Sequence, residues 1–336
     1  MNSVPGLKAL SIRGNLIDPP LFCAPMAAIT HSAFRRLLSD FGGYGALFTE
    51  MLSAKMILHE NVLNSPWLRR RPEEGKVFYQ LMVMDTVRLP EIMERLALLK
   101  PDGLDLNIAC AAHTVMRQGG GADLYYDMVR LREILGVMRR NYGGCFTVKI
   151  RLGNEINDWF EKLVERIRLF EDEGVDALII HPRFYEEKFR RSARHSLYAE
   201  LAERTRLPII ASGDISGYDS YSGNYASLEP VSGIMIGRIA AACPWIFAAW
   251  HNPELKVDRA EVWFRLCDYI AGDFTPEQAL IRVKIIAPYF GRNFVFGHEF
   301  FKRIQSSSDF ETARQRAHNF FQASPELAKR VSIDGI

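Results

Sequence analysis

The feature that most limits what this chain can become is a succession of eight short apolar runs, most followed by a helical pattern. The runs are Leu21 to Pro25, Gly45 to Glu50, Val77 to Met82, Leu104 to Ile108, Phe146 to Arg151, Ala177 to His181, Leu207 to Ser212 and Gly233 to Gly237. They are broadly continuous in apolar character, not alternating, which is the mark of parallel strands covered on both faces. Between them, Ser32 to Asp40, Arg88 to Lys100, Asp127 to Arg140 and Trp159 to Glu173 carry apolar residues at helical spacing. Strand and helix alternating eight times predict an α/β fold, the (β/α)8 TIM barrel. A doubly wound open sheet shares the alternation, and strand count alone does not exclude it. No GxGxxG opens a helix after the first run, which weighs against a dinucleotide-binding sheet.

The flanks differ from this repeat. Residues 8–17 alternate apolar and polar around Arg13-Gly14-Asn15, predicting a small hairpin ahead of the barrel. Beyond His251 no strand pattern is convincing, and Glu261 to Ala271, Pro276 to Tyr289, His298 to Ile304 and Glu311 to Gln322 read as helices. The expected division is therefore a barrel with its hairpin over residues 1–250 and a C-terminal all-helical domain over 251–336. Arg282, Lys284, Arg292, Lys302, Arg303, Arg314 and Arg316 are spread over that tail. A solvated helix face and an RNA-contacting surface both fit such a distribution.

Charge and cysteine usage narrow the class further. A net charge of +2 and a pI near 8.2 permit nucleic acid as a partner without requiring it. The five cysteines are scattered and form no CxxC pair, so neither a zinc site nor a disulfide framework is indicated, and no metal is expected. A reducing compartment, the cytoplasm, is the expected location. No basic segment leads into an apolar stretch at the start, so no signal peptide is expected. No apolar run approaches the roughly 20 residues of a spanning helix. No obligate protein partner is evident.

In a barrel of this kind chemistry gathers at the carboxyl ends of the strands. Those ends carry Pro25 and Met26, then Gln80, then Asn107 and Cys110. Lys149 and Arg151 follow, then His181 and Arg183, then Ser212, Gly213 and Asp214, and finally Gly237 and Arg238. Each has a bland reading. Cys110 fits a small buried hydrophobe as well as a proton donor or nucleophile. Lys149 fits a chain that snorkels outward, and His181 a satisfied core histidine. Their convergence in an apolar fold points to a ligand site. The turns SGDIS and IGRIA follow consecutive strands, where backbone N–H groups and Arg238 suit a phosphate. Lys149 at the end of the fifth strand suits the negative charge of a reduced flavin ring. The residues alone thus describe a phosphate-anchored cofactor with a thiol nearby.

The order APMAAITHSAFRRL, FTEMLSA, Gln80-Leu81, LDLNIACAAHTV with GGGADL, TVKIRLG, IIHPR, PIIASGDI and IMIGRIAAACPWIF resembles the tRNA-dihydrouridine synthases over about the first 250 residues. YFGRNFVFGHEFFKRI resembles, more loosely, their C-terminal RNA-binding domain. The resemblance implies an FMN-dependent oxidoreductase that reduces uridine to 5,6-dihydrouridine in RNA, tRNA in particular, with NADPH as electron donor. It implies that Cys110 protonates the base as a general acid. Gln80, Lys149 and His181 match flavin-contact positions, and Gly213, Gly237 and Arg238 match the phosphate cradle. Pro25, Met26, Ser212 and Asp214 fall among the cofactor-binding positions. Asn107 matches the residue that holds the target base, with Arg151 and Arg183 as further substrate contacts.

The chain also departs from the family pattern. Ala109 and Ala111 flank Cys110 where the family has glycine and proline, which changes how the loop bends. Thr114 replaces a lysine, Ser212 an asparagine and His31 an aspartate. Two other functions fit such a divergent member. One is an FMN-barrel reductase acting on another RNA site or on a small unsaturated substrate. The other is an RNA-binding homologue with altered catalysis.

Overall fold

The computed structural model describes residues 6–333; the outer ends of the two expected domains, residues 1–5 and 334–336, lie outside the described residues. A hairpin of β1 (Leu10–Ile12) and β2 (Asn15–Ile17) precedes eight parallel strands: β3 (Leu21–Cys23), β4 (Ala46–Ser53), β5 (Val77–Met82), β6 (Gly103–Asn107), β7 (Cys145–Arg151), β8 (Ala177–His181), β9 (Ile209–Ser212) and β10 (Gly233–Ile236). β10 pairs with both β9 and β3, so the sheet closes on itself. Closure removes the open-sheet alternative and every free edge.

The lower half of the barrel is filled by side chains. Phe22, Phe48 and Phe78 meet there, the last two stacked at 5.1 Å, with Ala46, Cys145, Ala177 and Ile210 around them. A fully buried Phe of this sort stabilises by roughly 1.5–3 kcal/mol. Gly103 is required beside them, since a Cβ would lie 2.2 Å from the Phe78 ring. Leu10, Ile12 and Ile17 of the hairpin join this cluster from below and plug the amino-terminal end. Arg13 fastens the hairpin through Asp176 at 3.1 Å and the Gly143 carbonyl at 2.7 Å, and the Asn15 amide donates to the Asp102 carbonyl at 2.8 Å.

The eight expected runs all become strands, with two kinds of difference. β4 extends to Ser53 because its pairing with β5 slips between Phe48 and Met51 and then resumes. Such a bulge absorbs one residue without ending the strand. Helices behind the later strands, at Leu197–Ala202, Tyr218–Gly223, Tyr225–Leu228, Arg238–Ala242 and Ile246–His251, are too short to show a period in sequence.

The tail forms four longer helices, Arg259–Asp273, Pro276–Phe290, Gly297–Gln305 and Phe310–Gln322. Three of the four starts are written in the chain: Asp258 accepts from the Ala260 and Glu261 N–H groups, Thr275 and Gln278 form a capping box around Pro276, and Asp309 accepts from the Thr312 N–H. Trp263, Phe290, Phe294, Phe300 and Phe320 make its core. The tail docks on the first βα unit, where Arg265 and Tyr269 reach Asp40, and on the connection from β4 to β5, where Arg69 and Arg71 pair with the buried Asp273. It also meets the last unit, where the Asn293 amide donates to the Ala242 carbonyl at 2.7 Å.

The basic residues of the tail do not form one surface. Arg282 is buried, stacked 4.5 Å from the Trp67 ring centroid and 5.0 Å from that of Phe274. Arg314 pairs with Asp268, and Lys284 and Arg316 donate to the carbonyls of Ser307 and Arg303.

Candidate active site

The barrel interior changes from apolar to polar one layer above the phenylalanines. Strand register sets Gln80, Asp105 and Thr147 side by side on β5, β6 and β7. The Gln80 amide donates to Asp105 Oδ2 at 2.7 Å, and the Thr147 hydroxyl donates to Asp105 Oδ1 at 2.6 Å. Asp105 is wholly buried, and burial pushes its carboxyl up to about 7 against the pull of the Thr147 and Gln80 hydrogen bonds and the Lys149 charge. Asp105 and Thr147 were not among the residues expected from sequence.

This carboxyl has a consequence for stability. Its folded pKa lies above the ordinary value, so the folded state holds a proton that the unfolded chain releases. The stabilisation is complete below about pH 4 and is lost as pH rises to about 7. Asp105→Asn, which carries no titrating proton, should flatten this slope. Urea midpoints at pH 5 and pH 8 test it: parallel losses in wild type and variant would assign the slope to another group.

The next layer carries Asn107 and Lys149, paired in register on β6 and β7. The Asn107 amide donates to Gln80 Oε1 at 2.8 Å, and its oxygen accepts from the N–H groups of Ala109 and Cys110 at 3.1 and 2.9 Å. One side chain thus ties the platform to the loop that follows and sets the position of Cys110, whose thiol is half-buried. The glycines behind it close the loop. Gly121 has φ +58°, and a Cβ there would lie 2.5 Å from the Cys110 carbonyl oxygen, which itself accepts from the Ala122 N–H at 2.9 Å. Thr114 is exposed, away from this contact.

Lys149 makes no hydrogen bond or ion pair among the described residues. Burial and the neighbouring Arg151 bring its ammonium down to about 8, with Asp105 and Cys110 opposing. His181 on β8 is held neutral, first by burial and then by Lys149, Arg151, Arg183 and Arg238. The Arg183 guanidinium donates to His181 Nε2 at 2.7 Å; that nitrogen accepts, so the proton sits on Nδ1. Four cations and a neutral imidazole at one end of the mouth suit an anionic ligand.

The turns after β9 and β10 fit the phosphate of such a ligand. Gly213 has φ +104°, and a Cβ there would lie 2.6 Å from the His181 ring, so only glycine serves. At Gly237 a Cβ would meet only Ala24 at 3.6 Å, which leaves the backbone open on its cavity side. Arg238 follows directly, its guanidinium 4.0 Å from the centroid of the Phe189 ring. A phosphate-bearing cofactor therefore fits the residues present: glycine turns and Arg238 for the phosphate, an unpartnered ammonium and the Gln80 amide nearer the barrel axis.

Other expected contacts are differently placed. Arg183 grips Asp214 with two hydrogen bonds of 2.6 Å and donates to the Arg191 carbonyl, so these two residues brace the loop after β8. Asp214 also accepts from the Ala193 N–H at 2.7 Å. Arg151 donates to the Lys188 carbonyl at 3.1 Å in the same loop. The Ser212 N–H is taken by the Tyr198 hydroxyl at 3.1 Å. Pro25 and Met26 are half-buried at the end of β3, and the Met26 N–H donates to Thr30 at 2.9 Å. His31, buried, caps the helix Ser32–Phe41 by accepting from the Phe34 N–H at 3.3 Å. Burial, Arg282 and Arg35 keep that ring neutral, which an acceptor role requires.

Closed barrel, filled base and a polar mouth define the class: a (β/α)8 TIM barrel whose mouth suits an anionic, phosphate-bearing ligand. Among solved structures the fold is similar to the old yellow enzyme from Trypanosoma cruzi (TM-score 0.56, 10% identity, 76% of this chain and 94% of that one). It is likewise similar to morphinone reductase in complex with tetrahydroNAD (TM-score 0.52, 10% identity, 76% and 92%). The family model for dihydrouridine synthase matches residues 22–273. A probable tRNA-dihydrouridine synthase of Helicobacter pylori is 30% identical over 70% of this chain and 71% of its own length. The tRNA-dihydrouridine synthase B of Pasteurella multocida is 29% identical over 68% and 67%. The chain belongs to the dihydrouridine synthase family and is by that membership an oxidoreductase of the flavoenzyme class.

Proposed function

We propose that this protein reduces uridine in tRNA to 5,6-dihydrouridine, with FMN as its flavin and NADPH as electron donor, in the cytoplasm. The observation that carries the reading is the link from Gln80 through Asn107 to Cys110, in register with Lys149. It joins the cofactor end of the mouth to a positioned thiol. When bound, FMN supplies a hydride to C6 of the base. Cys110 supplies the proton to C5, so the ring gains one hydride and one proton and its double bond becomes single. Asn107 holds the loop and, through its remaining amide proton, the base. Lys149 offers positive charge to the ring, His181 a neutral N–H, and Gly213, Gly237 and Arg238 the phosphate cradle. Pro25, Met26 and Ser212 complete the walls, with Arg151 shaping the substrate side.

The protein should purify yellow, with one non-covalent FMN per chain. Nucleoside mass spectrometry of tRNA from a deletion strain should show the loss of dihydrouridine from at least one tRNA position, restored by the wild-type gene. Unchanged dihydrouridine at every position would overturn the substrate assignment. A protein that stays colourless after incubation with FMN would overturn the cofactor assignment.

A further inference from the structure

The cysteine loop is held from a second side, by a residue with no role so far. The register of β6 with β7 ends at Asn107 and Lys149, and the Ile108 N–H still reaches the Lys149 carbonyl at 2.9 Å. The Ile108 carbonyl turns elsewhere and accepts from the Tyr185 hydroxyl at 2.7 Å. Tyr185 stands 77 residues further along, buried in the loop after β8. Burial, with Tyr125 and Tyr126 beside it, pushes its hydroxyl well above the ordinary value against Arg151 and Arg166, so it keeps the proton it donates.

The Ile108 carbonyl and the Ala109 N–H belong to one planar peptide unit. Asn107 Oδ1 accepts from its N–H at 3.1 Å and Tyr185 donates to its oxygen, so the unit is held at both ends. A planar group fixed at both ends cannot rotate, and Cys110 follows one residue on. The same ring also meets the far end of the loop. Beyond Cys110 the chain enters the short helix Gly121–Tyr125, and the Tyr125 ring lies 6.0 Å from that of Tyr185 at 90°. Tyr185 is itself anchored just past β7, where its N–H donates to the Gly153 carbonyl at 2.9 Å. Ala111 stands where the family pattern has proline, so no ring fixes φ after the cysteine. Tyr185 supplies a constraint from outside the loop.

We propose that Tyr185 is a positioning residue for the proton transfer: by fixing the Ile108–Ala109 peptide it aims the Cys110 thiol at the carbon that receives the proton. The inference rests on the proposed function and adds to it a residue that acts through Cys110. It also ties the thiol to the cofactor end of the mouth. Two residues before Tyr185, Arg183 grips Asp214 beside Gly213, and four residues after it Phe189 lies against Arg238. One loop thus reaches from the cysteine to the anion cradle.

The test uses full-length flavin-loaded protein, NADPH and unmodified tRNA transcripts. Tyr185→Phe keeps the ring contacts and removes only the hydroxyl. At saturating tRNA it should slow reoxidation of the reduced flavin by roughly 10- to 100-fold, the upper figure being the scale of a misplacement of about 1 Å. Flavin content, tRNA affinity and the rate of flavin reduction by NADPH should not change. Tyr79→Phe is the control, since it removes the same kind of buried bond, 2.9 Å to the Leu68 carbonyl in the connection from β4 to β5. It should lower the urea midpoint and leave both half-reactions at wild-type rates. In a Cys110→Ala background Tyr185→Phe should slow reoxidation no further, because nothing is left to aim. Wild-type reoxidation in Tyr185→Phe would overturn the inference and leave the proposed function standing. Equal slowing by Tyr79→Phe would do the same, by showing a general loosening, and so would full slowing in the Cys110→Ala background. A Cys110→Ala variant that reoxidises on tRNA as fast as wild type would remove the proton role of Cys110 and the inference with it. A wild-type protein that reduces no tRNA would overturn the proposed function itself.

Discussion

Cys110→Ala should slow formation of the reduced base by roughly 100- to 10,000-fold, the usual contribution of a positioned acid, and leave reduction of the flavin by NADPH unchanged. The first half-reaction needs no proton at the base. The second needs one at C5, on the face turned away from the hydride donor. The structure makes the substitution a clean one. Asn107 bonds the backbone N–H of Cys110, not its sulfur, and Gly121 packs on its carbonyl. Alanine keeps both contacts, so the loop retains its path and only the thiol is lost. Stopped-flow comparison of the two half-reactions decides the matter. If the variant's reduced flavin reoxidises on tRNA at the wild-type rate, the thiol is a packing group.

Glu74→Ala should destabilise the protein by about 3–5 kcal/mol, the cost of leaving one member of a buried ion pair alone. Glu74 and Arg35 are both completely buried, 2.7 Å apart. Glu74 also accepts from the Ser32 hydroxyl and from the Arg71 N–H, the latter at 2.7 Å. Arg35 donates in turn to the carbonyls of Thr30 and Arg69 at 2.6 and 2.7 Å. The pair therefore stitches the loop after β3 to the segment that leads into β5. Removing the carboxylate strands a guanidinium in a dry interior. Chemical denaturation of wild type and variant measures the loss, and a value below about 1 kcal/mol would show that water or a neighbour replaces the carboxylate.

Neither Glu74 nor Asp105 stands out in the sequence, and the reason is common to both. The strands could be found because barrel strands are apolar over whole runs, and the tail helices because no strand pattern interrupts the chain beyond His251. Cys110, Lys149 and His181 could be proposed from sequence because they lie at or just past strand ends, where position alone suggests a role. Asp105 sits inside a strand, and its meaning comes from Gln80 and Thr147, which are neighbours only once the register is fixed. Arg183 and Asp214 looked like two separate ligands because 31 residues divide them; in space they bind each other. Arg282 looked like part of a charged face because helical spacing cannot say that Trp67, from another segment, lies over it.

The hairpin at the barrel's base bears on the order of events in turnover. With Leu10, Ile12 and Ile17 packed beneath Phe22, Phe48 and Phe78, the base of the barrel is filled among the described residues and the mouth at the carboxyl ends of the strands is the way in. On the proposed reading, electron donor and tRNA must both reach the same ring through it, and neither can wait at a back door. One leaves before the other enters. That exclusion gives two half-reactions separated by an exchange of partners, so initial rates plotted reciprocally at several fixed tRNA concentrations should form parallel lines, and each substrate in excess should compete with the other.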